Sequence, residues 1–290
     1  MISNQLNLPQ PFVDAVSTEY RYTDKRYSAT SLLKGVRETI LQRRHQDEVE
    51  QDVADMVWMI FGTAVHSVLE NAKETETQLK ENKIELEMPN GYTLSGIFDL
   101  YDDSTGTVTD YKTASVWKVI YDEWDDYRKQ LLIYAYMLRE MGFDAHTGEI
   151  VALLKDHSKT KAKTDFTYPQ HPVFVKRFEF GENDFDEIAS WLDGRFREIE
   201  RCEALPDDGL PVCTAEERWE TPAKYAVYKN QNKRATRLLD TEEDAQAFID
   251  RQDPKDKYRI EYRPGVSKKC AEYCSVCDFC NYWKEASDGE

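Results

Sequence analysis

Asp99, Asp110 and Lys112 have the types and the spacing to act on one point in space. The two acids lie eleven positions apart and the lysine follows the second by two. Between them, Asp102-Asp103-Ser104-Thr105-Gly106 has the composition of a turn. A turn centred near Ser104 and Thr105 sets Asp99 opposite Asp110. Opposed residues on antiparallel strands share a face, with β-carbons about 4.5–5.5 Å apart. Lys112 falls on the same face, because strand side chains alternate with a period of two. Two carboxylates that close repel unless a cation lies between them. A hard ion such as Mg²⁺ or Mn²⁺, which takes oxygen ligands, would resolve the conflict. Lys112 would then be a donor beside the ion, suited to steering a water or neutralising a phosphate. Asp102 and Asp103 are turn residues and bind nothing. The bland reading of the same pattern is a solvated sheet face with a compensating salt bridge.

Two flanking stretches bear on that choice. "FGTAVHSVLE" places Gly62, His66 and Glu70 on one helical face. A lone histidine there also suits a satisfied core position. "QLLIYAYML" places Gln130 and Tyr134 one helical turn apart. Of six cysteines, Cys270, Cys274, Cys277 and Cys280 fall within eleven residues, while Cys202 and Cys213 stand apart. That clustering, without a secretory signal, favours a metal group over a disulfide framework.

The elements that must carry these residues follow from periodicity and punctuation. Residues 1–27 read as an irregular leader with Pro9 and Pro11. Helices are expected over 28–45, with Ser28 as N-cap, and over 49–81. Strands follow at 83–88 and 92–101 around the Pro89-Asn90-Gly91 turn, then at 107–113, making a meander. A helix over 121–141 ends at Gly142, strands follow at 149–154 and 173–180, and a helix covers 182–202. Beyond residue 205, "ALPDDGLPVC" reads as a linker, and 241–252 as a short helix before the cysteine tail. The expected organisation is therefore a leader (1–27), a core (28–205) and an extension (206–290).

With 290 residues, 40% of them hydrophobic and 32% charged, the chain can bury a sizeable core and reads as soluble and globular. Its longest apolar runs, such as Val57 to Ile60, fall short of the roughly 20 residues of a membrane span. The first residues lack a basic region followed by an apolar one, so a cytoplasmic protein is expected. The net charge of −17 opposes a nucleic-acid partner unless basic residues gather locally. Three basic stretches exist, at 42–45, 155–163 and 229–237, and each also suits a solvated face.

In combination these features resemble the PD-(D/E)XK nuclease superfamily, in its RecB-like and phage-exonuclease branch. The parts occur in that family's order: Gly62-x-x-x-His66, Gly96-Ile-Phe-Asp99, Asp110-Tyr-Lys112 and Gln130-x-x-x-Tyr134. The resemblance spans roughly residues 28–200. It implies an α/β fold of restriction-endonuclease type, a central mixed β-sheet flanked by helices, here followed by a cysteine-rich extension. It implies His66, Asp99 and Asp110 as ligands of Mg²⁺ or Mn²⁺ with the Tyr111 carbonyl, and Lys112 as the catalytic lysine beside Asp99 and Asp110. Gln130 and Tyr134 would contact DNA or brace the site.

The same branch often carries a 4Fe–4S cluster held by one distant cysteine and others near the C-terminus. Cys274-x5-Cys280, with Cys270 ahead of it, is similar to that pattern. The resemblance implies Cys213 as the distant ligand beside Cys270, Cys274 and Cys280, with Cys277 as local competitor and zinc as the alternative occupant. This chain departs from the family in having Gly35-Val36-Arg37 in place of Cys-Pro-Arg, which leaves the origin of the fourth ligand open between Cys213 and Cys277.

The implied function is a metal-dependent DNA exonuclease of recombination or repair, of phage derivation. A recombination or single-strand annealing protein would be its partner. The competing readings are a non-catalytic DNA-binding or assembly module that keeps the fold, and a redox or zinc-binding interaction protein centred on the tail.

Overall fold

The computed structural model describes residues 2–17, 21–73 and 75–287. Two compact units make up the chain, Met1–Pro206 and Asp207–Glu290.

The first unit is built on a six-stranded mixed sheet: β1 (Arg26–Ser28), β2 (Gln78–Glu87), β3 (Thr93–Asp102), β4 (Thr107–Ala114), β5 (Thr147–Leu154) and β6 (Val173–Glu179). The spatial path runs β1-β3-β4-β5-β6, with β2 also on β3. β1–β3 and β4–β5 are parallel and the other pairs antiparallel.

β3 organises the site. One of its edges pairs with β2 along its length, from Thr93 to Asp102. The other edge is shared: β1 takes Thr93 to Ser95, and β4 takes Leu100 to Asp102. Residues 96–99 therefore have no strand opposite them on that edge. A backbone gap of this kind needs other partners for its amides, and the site lies there.

Helices cover the sheet: α1 (Val36–Arg44), α2 (Val57–Glu70), α3 (Val116–Ile120), α4 (Asp125–Glu140), α5 (Lys159–Thr164) and α6 (Glu182–Glu203). α4 buries Leu131, Ile133, Met137 and Leu138, and α6 buries Ile188, Leu192, Phe196 and Ile199. Each such side chain contributes about 1.5–3 kcal/mol by leaving water. The Tyr27 and Tyr92 hydroxyls both donate to Glu203, at 2.5 Å each, tying β1 and the approach to β3 to the end of α6.

Several sequence-based boundaries move, each for a local reason. The helix expected over 28–45 starts at a true cap, since Ser28 Oγ accepts from the Ser31 amide at 3.1 Å. It stops at Leu32 and resumes as α1 after Gly35, whose extended backbone interrupts it. The helix expected over 49–81 shrinks to α2. At its front Asp52 caps a 3₁₀ turn, Val53–Met56, and Gln51–Asp52 pairs with Ile2–Ser3. Behind Glu70 the polar run "NAKETETQLKENK" has no apolar period to extend a helix, and its second half enters β2. The helix expected over 121–141 begins only at Asp125, as α4, because Asp122 takes a left-handed backbone at φ 54°; the short α3 ahead of it was not expected. Within the leader, Gln10–Val16 is helical rather than irregular; residues 1, 18–20 and 74 lie outside the described residues.

The second unit holds β7 (Glu220–Thr221), β8 (Lys224–Lys229), β9 (Arg237–Leu239), α7 (Glu242–Asp250), β10 (Tyr258–Arg263), β11 (Val266–Ser267), α8 (Lys268–Glu272) and α9 (Asn281–Ser287). β8 lies between β9 and β10, and β7 pairs with β11. The small sheet around β8 was not expected from the sequence. Only Ala226, Val227 and Tyr228 of β8 are buried, too short a run to stand out.

Candidate active site and metal centre

The β3–β4 hairpin has the register that its turn predicts: Leu100 pairs with Thr109, Tyr101 with Val108 and Asp102 with Thr107. The next pair would be Asp99 with Asp110, and there the ladder stops. The Asp99 carboxylate takes over: its Oδ2 accepts the Tyr111 amide at 2.5 Å. The amide and carbonyl of one strand residue face the same neighbour, so the Tyr111 carbonyl also points toward the gap.

His66 of α2 reaches the other oxygen, its Nδ1 standing 3.3 Å from Asp99 Oδ1. The same nitrogen lies 3.7 Å from Glu81 Oε1. One donor atom each from His66, Glu81 and Asp99 lies within 4.8 Å of the others. The shared hydrogen bond to Asp99 raises the His66 pKa above its ordinary value. Burial raises that of Glu81, with the Asp99 charge adding to it.

Glu81 was missed by the sequence reading, which placed it in a helix. Its β2 neighbours pair regularly, Lys80 with Leu100 and Asn82 with Phe98, while Glu81 itself adopts φ 51° opposite Asp99. The signal was present. The turn around Pro89-Asn90-Gly91, treated by the arithmetic that paired Asp99 with Asp110, sets residue 81 opposite residue 99. Glu70, the acid that the helical spacing put beside His66, is exposed and outside the cluster.

Asp110 is 2% exposed, in the middle of β4. Gln130 Nε2 donates to its Oδ1 at 3.3 Å and to the Tyr134 hydroxyl at 3.2 Å. Both residues are buried on α4, where they link the helix to Asp110. Tyr134 also explains Gly96: a β-carbon there would lie 2.6 Å from Tyr134 Cε1. Lys112 Nζ stands 2.6 Å from Asp110 Oδ2, an ion pair, yet that buried oxygen has no partner in hydrogen-bonding geometry. Burial pushes the Asp110 carboxyl up to about 6, against the pull of Lys112 and with the push of Asp99.

Three carboxylates, one imidazole and one ammonium thus share a small volume with negative charge in excess. The donor set of one nitrogen and several carboxylate oxygens fits a hard divalent cation.

Residues 20–281 match the model of the PD-(D/E)XK nuclease superfamily. The chain belongs to that superfamily. No curated relative matches the sequence. Among solved structures, the alkaline exonuclease LHK-Exo from Laribacter hongkongensis is 13% identical, over 61% of this chain and 89% of its own, with a TM-score of 0.39. The phage related exonuclease from Haemophilus somnus 129PT is 11% identical, over 63% of this chain and 95% of its own, with a TM-score of 0.38. The protein SSO0001 is 14% identical, over 68% and 85%, with a TM-score of 0.47. For a superfamily member the stretch Val53–Glu70 takes on a definite role. Its length and composition alone would pass for a membrane span, but one such helix is not enough to make one, and this one brings His66 to Asp99 and Glu81.

Four cysteines of the second unit, Cys270, Cys274, Cys277 and Cys280, lie on α8 and the turns behind it. The amides of Cys274, Cys277 and Cys280 each close a short backbone turn. Cys280 is buried and Cys213, Cys270, Cys274 and Cys277 are half-buried. Burial raises the Cys277 thiol pKa. Arg218 joins the distant segment to the near one. Its guanidinium donates to the Cys213 carbonyl and to Ser267 Oγ, and its own carbonyl accepts from the Lys269 amide. Cys202 is buried in α6, away from this group in the chain.

Proposed function

We propose that this nuclease-superfamily protein is a deoxyribonuclease dependent on Mg²⁺ or Mn²⁺ that degrades DNA from its ends, in recombination or repair, and that it is of phage derivation. The observation that carries the reading is the convergence of His66, Glu81 and Asp99 beside buried Asp110 and Lys112. His66, Asp99 and Asp110, with the Tyr111 carbonyl, would hold the ion, and Glu81 joins them. When bound, the ion polarises the scissile phosphate and lowers the pKa of a water.

The chain's own groups do the rest. Lys112 holds its ammonium where it can orient the water and meet charge developing on a phosphate oxygen. Asp110 keeps that ammonium in place from 2.6 Å. Gln130 fixes the Asp110 carboxylate in rotation, and Tyr134 fixes Gln130. Burial of this chain of side chains excludes the waters that would otherwise compete for Asp110.

The exonuclease mode rests on the order of the four motifs, which resembles the RecB-like and phage-exonuclease branch. DNA is the substrate, an annealing or recombination protein the expected partner, and the cytoplasm the site of action. The extension would hold a 4Fe–4S cluster through Cys213, Cys270, Cys274 and Cys280, with Cys277 competing and zinc the alternative. The Arg218 bridge supports the choice of Cys213.

Digestion of end-labelled single- and double-stranded DNA with Mg²⁺ or Mn²⁺, beside a closed circle, tests the reading. Loss of labelled ends with the circle intact is expected, abolished by Asp110→Ala. Cleavage unchanged in Asp110→Ala and Lys112→Ala would overturn the assignment. A brown protein containing iron and labile sulfide supports the cluster, and a colourless zinc protein refutes it.

A further inference from the structure

We propose that exposed aromatic rings of α2 and α3, with the lysines at the end of β5 and on α5, form a binding path for single-stranded DNA that starts at the metal centre. The inference rests on the nuclease reading and names the form of its substrate.

α2 is unusual for an apolar helix, since none of its residues is buried. Its Trp58 is 59% exposed. Trp58, Gly62 and His66 recur every four residues, so Trp58 lies two turns, about 12 Å, along the helix from the centre. A β-carbon on Gly62 would stand 4.0 Å from Thr113 Oγ1, so α2 runs past the residue next to Lys112. Beyond it, the Lys155 amide donates to the Ala114 carbonyl at 3.0 Å, and Lys155 Nζ sits 4.2 Å above the Trp58 ring. Two residues on from Ala114 begins α3, whose Trp117 is 50% exposed and stacks on Tyr121, 63% exposed, at 5.7 Å and 21°. Lys161 of α5 stands 6.0 Å from the Trp117 ring.

The charges say what this surface takes. The chain carries −17, and two of its three basic stretches hold residues engaged within their own units. Arg43 lies over Tyr27 and donates to the Arg26 and Thr23 carbonyls, and Arg44 donates to those of Glu203 and Leu205. Lys229 pairs with Asp256 in the second unit. Within the first unit the 155–163 stretch stands beside the site, and its Lys155, Lys159 and Lys161 are exposed. Among the described residues none of these three makes a direct ion pair with a carboxylate. Lysines interleaved with exposed ring faces match a strand whose phosphates meet the ammonium groups while its bases stack on the rings. Stacking of this kind requires unpaired bases, so a single strand and not a duplex is the ligand. A second copy of this chain would bring the same lysines against each other.

The test is fluorescence anisotropy of labelled (dT)₁₂ with intact protein in EDTA, where nothing is cleaved. Trp58→Ala and Trp117→Ala should each weaken binding about 5- to 150-fold, from about 1–3 kcal/mol per stacked base. Trp58→Phe should retain most of the affinity. Lys155→Gln and Lys161→Gln should each lower the slope of log K against log salt by about 0.7. A hairpin duplex of equal length should bind more weakly than (dT)₁₂. Wild type that does not bind, or alanine variants of native circular dichroism that bind as wild type, would overturn the path. So would variants that change only the sedimenting mass or only binding to phosphatidylcholine vesicles, which would assign the face to self-association or lipid. Wild type that binds in this manner but cleaves no DNA with any divalent ion would refute the nuclease reading and leave the path standing.

Discussion

Replacing Asp110 by asparagine should make the metal-free protein more stable, not less. Asp110 lies in the middle of the sheet and its carboxyl is pushed up from 3.8 to about 6. Each tenfold change in proton affinity is worth about 1.4 kcal/mol, so holding this group ionised costs the fold about 3 kcal/mol at neutral pH. The attraction of Lys112 is already inside that figure. The sign follows directly. The raised pKa favours the fold below about pH 4, where Asp110 is protonated in both states. That advantage drains away as pH rises, because the unfolded chain ionises first, and it is gone above about pH 6. Asparagine has the shape of the neutral acid and never meets this cost. For a unit of this size about 1 kcal/mol shifts the midpoint by about 2–4 °C, so Asp110→Asn should melt roughly 6–12 °C above wild type at pH 7.5 in EDTA. The gap should close toward pH 4. Saturating Mn²⁺ should narrow or reverse it, since wild type gains a bound ion that the variant has lost a ligand for. Melting followed by circular dichroism across pH, with and without Mn²⁺, checks this. A variant less stable than wild type in EDTA at pH 7.5, or a gap independent of pH, would refute the reasoning.

Other outcomes follow from the same geometry. Lys112→Ala should lower the cleavage rate about 10²–10⁴-fold while Mn²⁺ binding, read by calorimetry, persists. Metal affinity should rise between about pH 5 and 7.5, because His66, Glu81 and Asp110 all hold protons more tightly than usual and must release them; calorimetry in two buffers of different ionisation heat should detect those protons. Glu81→Gln should weaken Mn²⁺ binding about 10-fold or more, an effect absent from Glu70→Gln. Gly96→Ala should destabilise by about 1–3 kcal/mol in denaturant titration, since the new methyl displaces Tyr134 and with it the brace on Asp110.

The parts of the site legible in sequence were those fixed by short-range geometry. Asp99, Asp110 and Lys112 could be placed together because one tight turn sets their register. Gln130 and Tyr134 could be paired because a helix repeats every turn. Glu81 escaped because an apolar helix and a polar strand adjoin without a breaker, and the period carried the helix past its end. The gap at residues 96–99 was invisible for a deeper reason: it arises where β1 and β4, far apart in the chain, share one edge of β3. The same holds for the bare surface of α2, whose apolar residues read as core in any periodicity. The sheet of the second unit went unread because three buried residues in β8 are all the pattern it presents.

The hydrogen bond from the Tyr111 amide to Asp99 Oδ2 has a consequence for denticity. With that oxygen held by the backbone, Asp99 is fixed in rotation and would offer an incoming ion Oδ1 first, along a direction set by the sheet. A rigid single-oxygen ligand suits a small ion that demands octahedral order. It serves poorly for Ca²⁺, which fills its larger shell with bidentate carboxylates and flexible geometry. Discrimination between the ions would thus depend on one main-chain amide, a donor that every substitution at position 111 except proline leaves in place. It would also be lost with a change that lets β3 and β4 close their ladder.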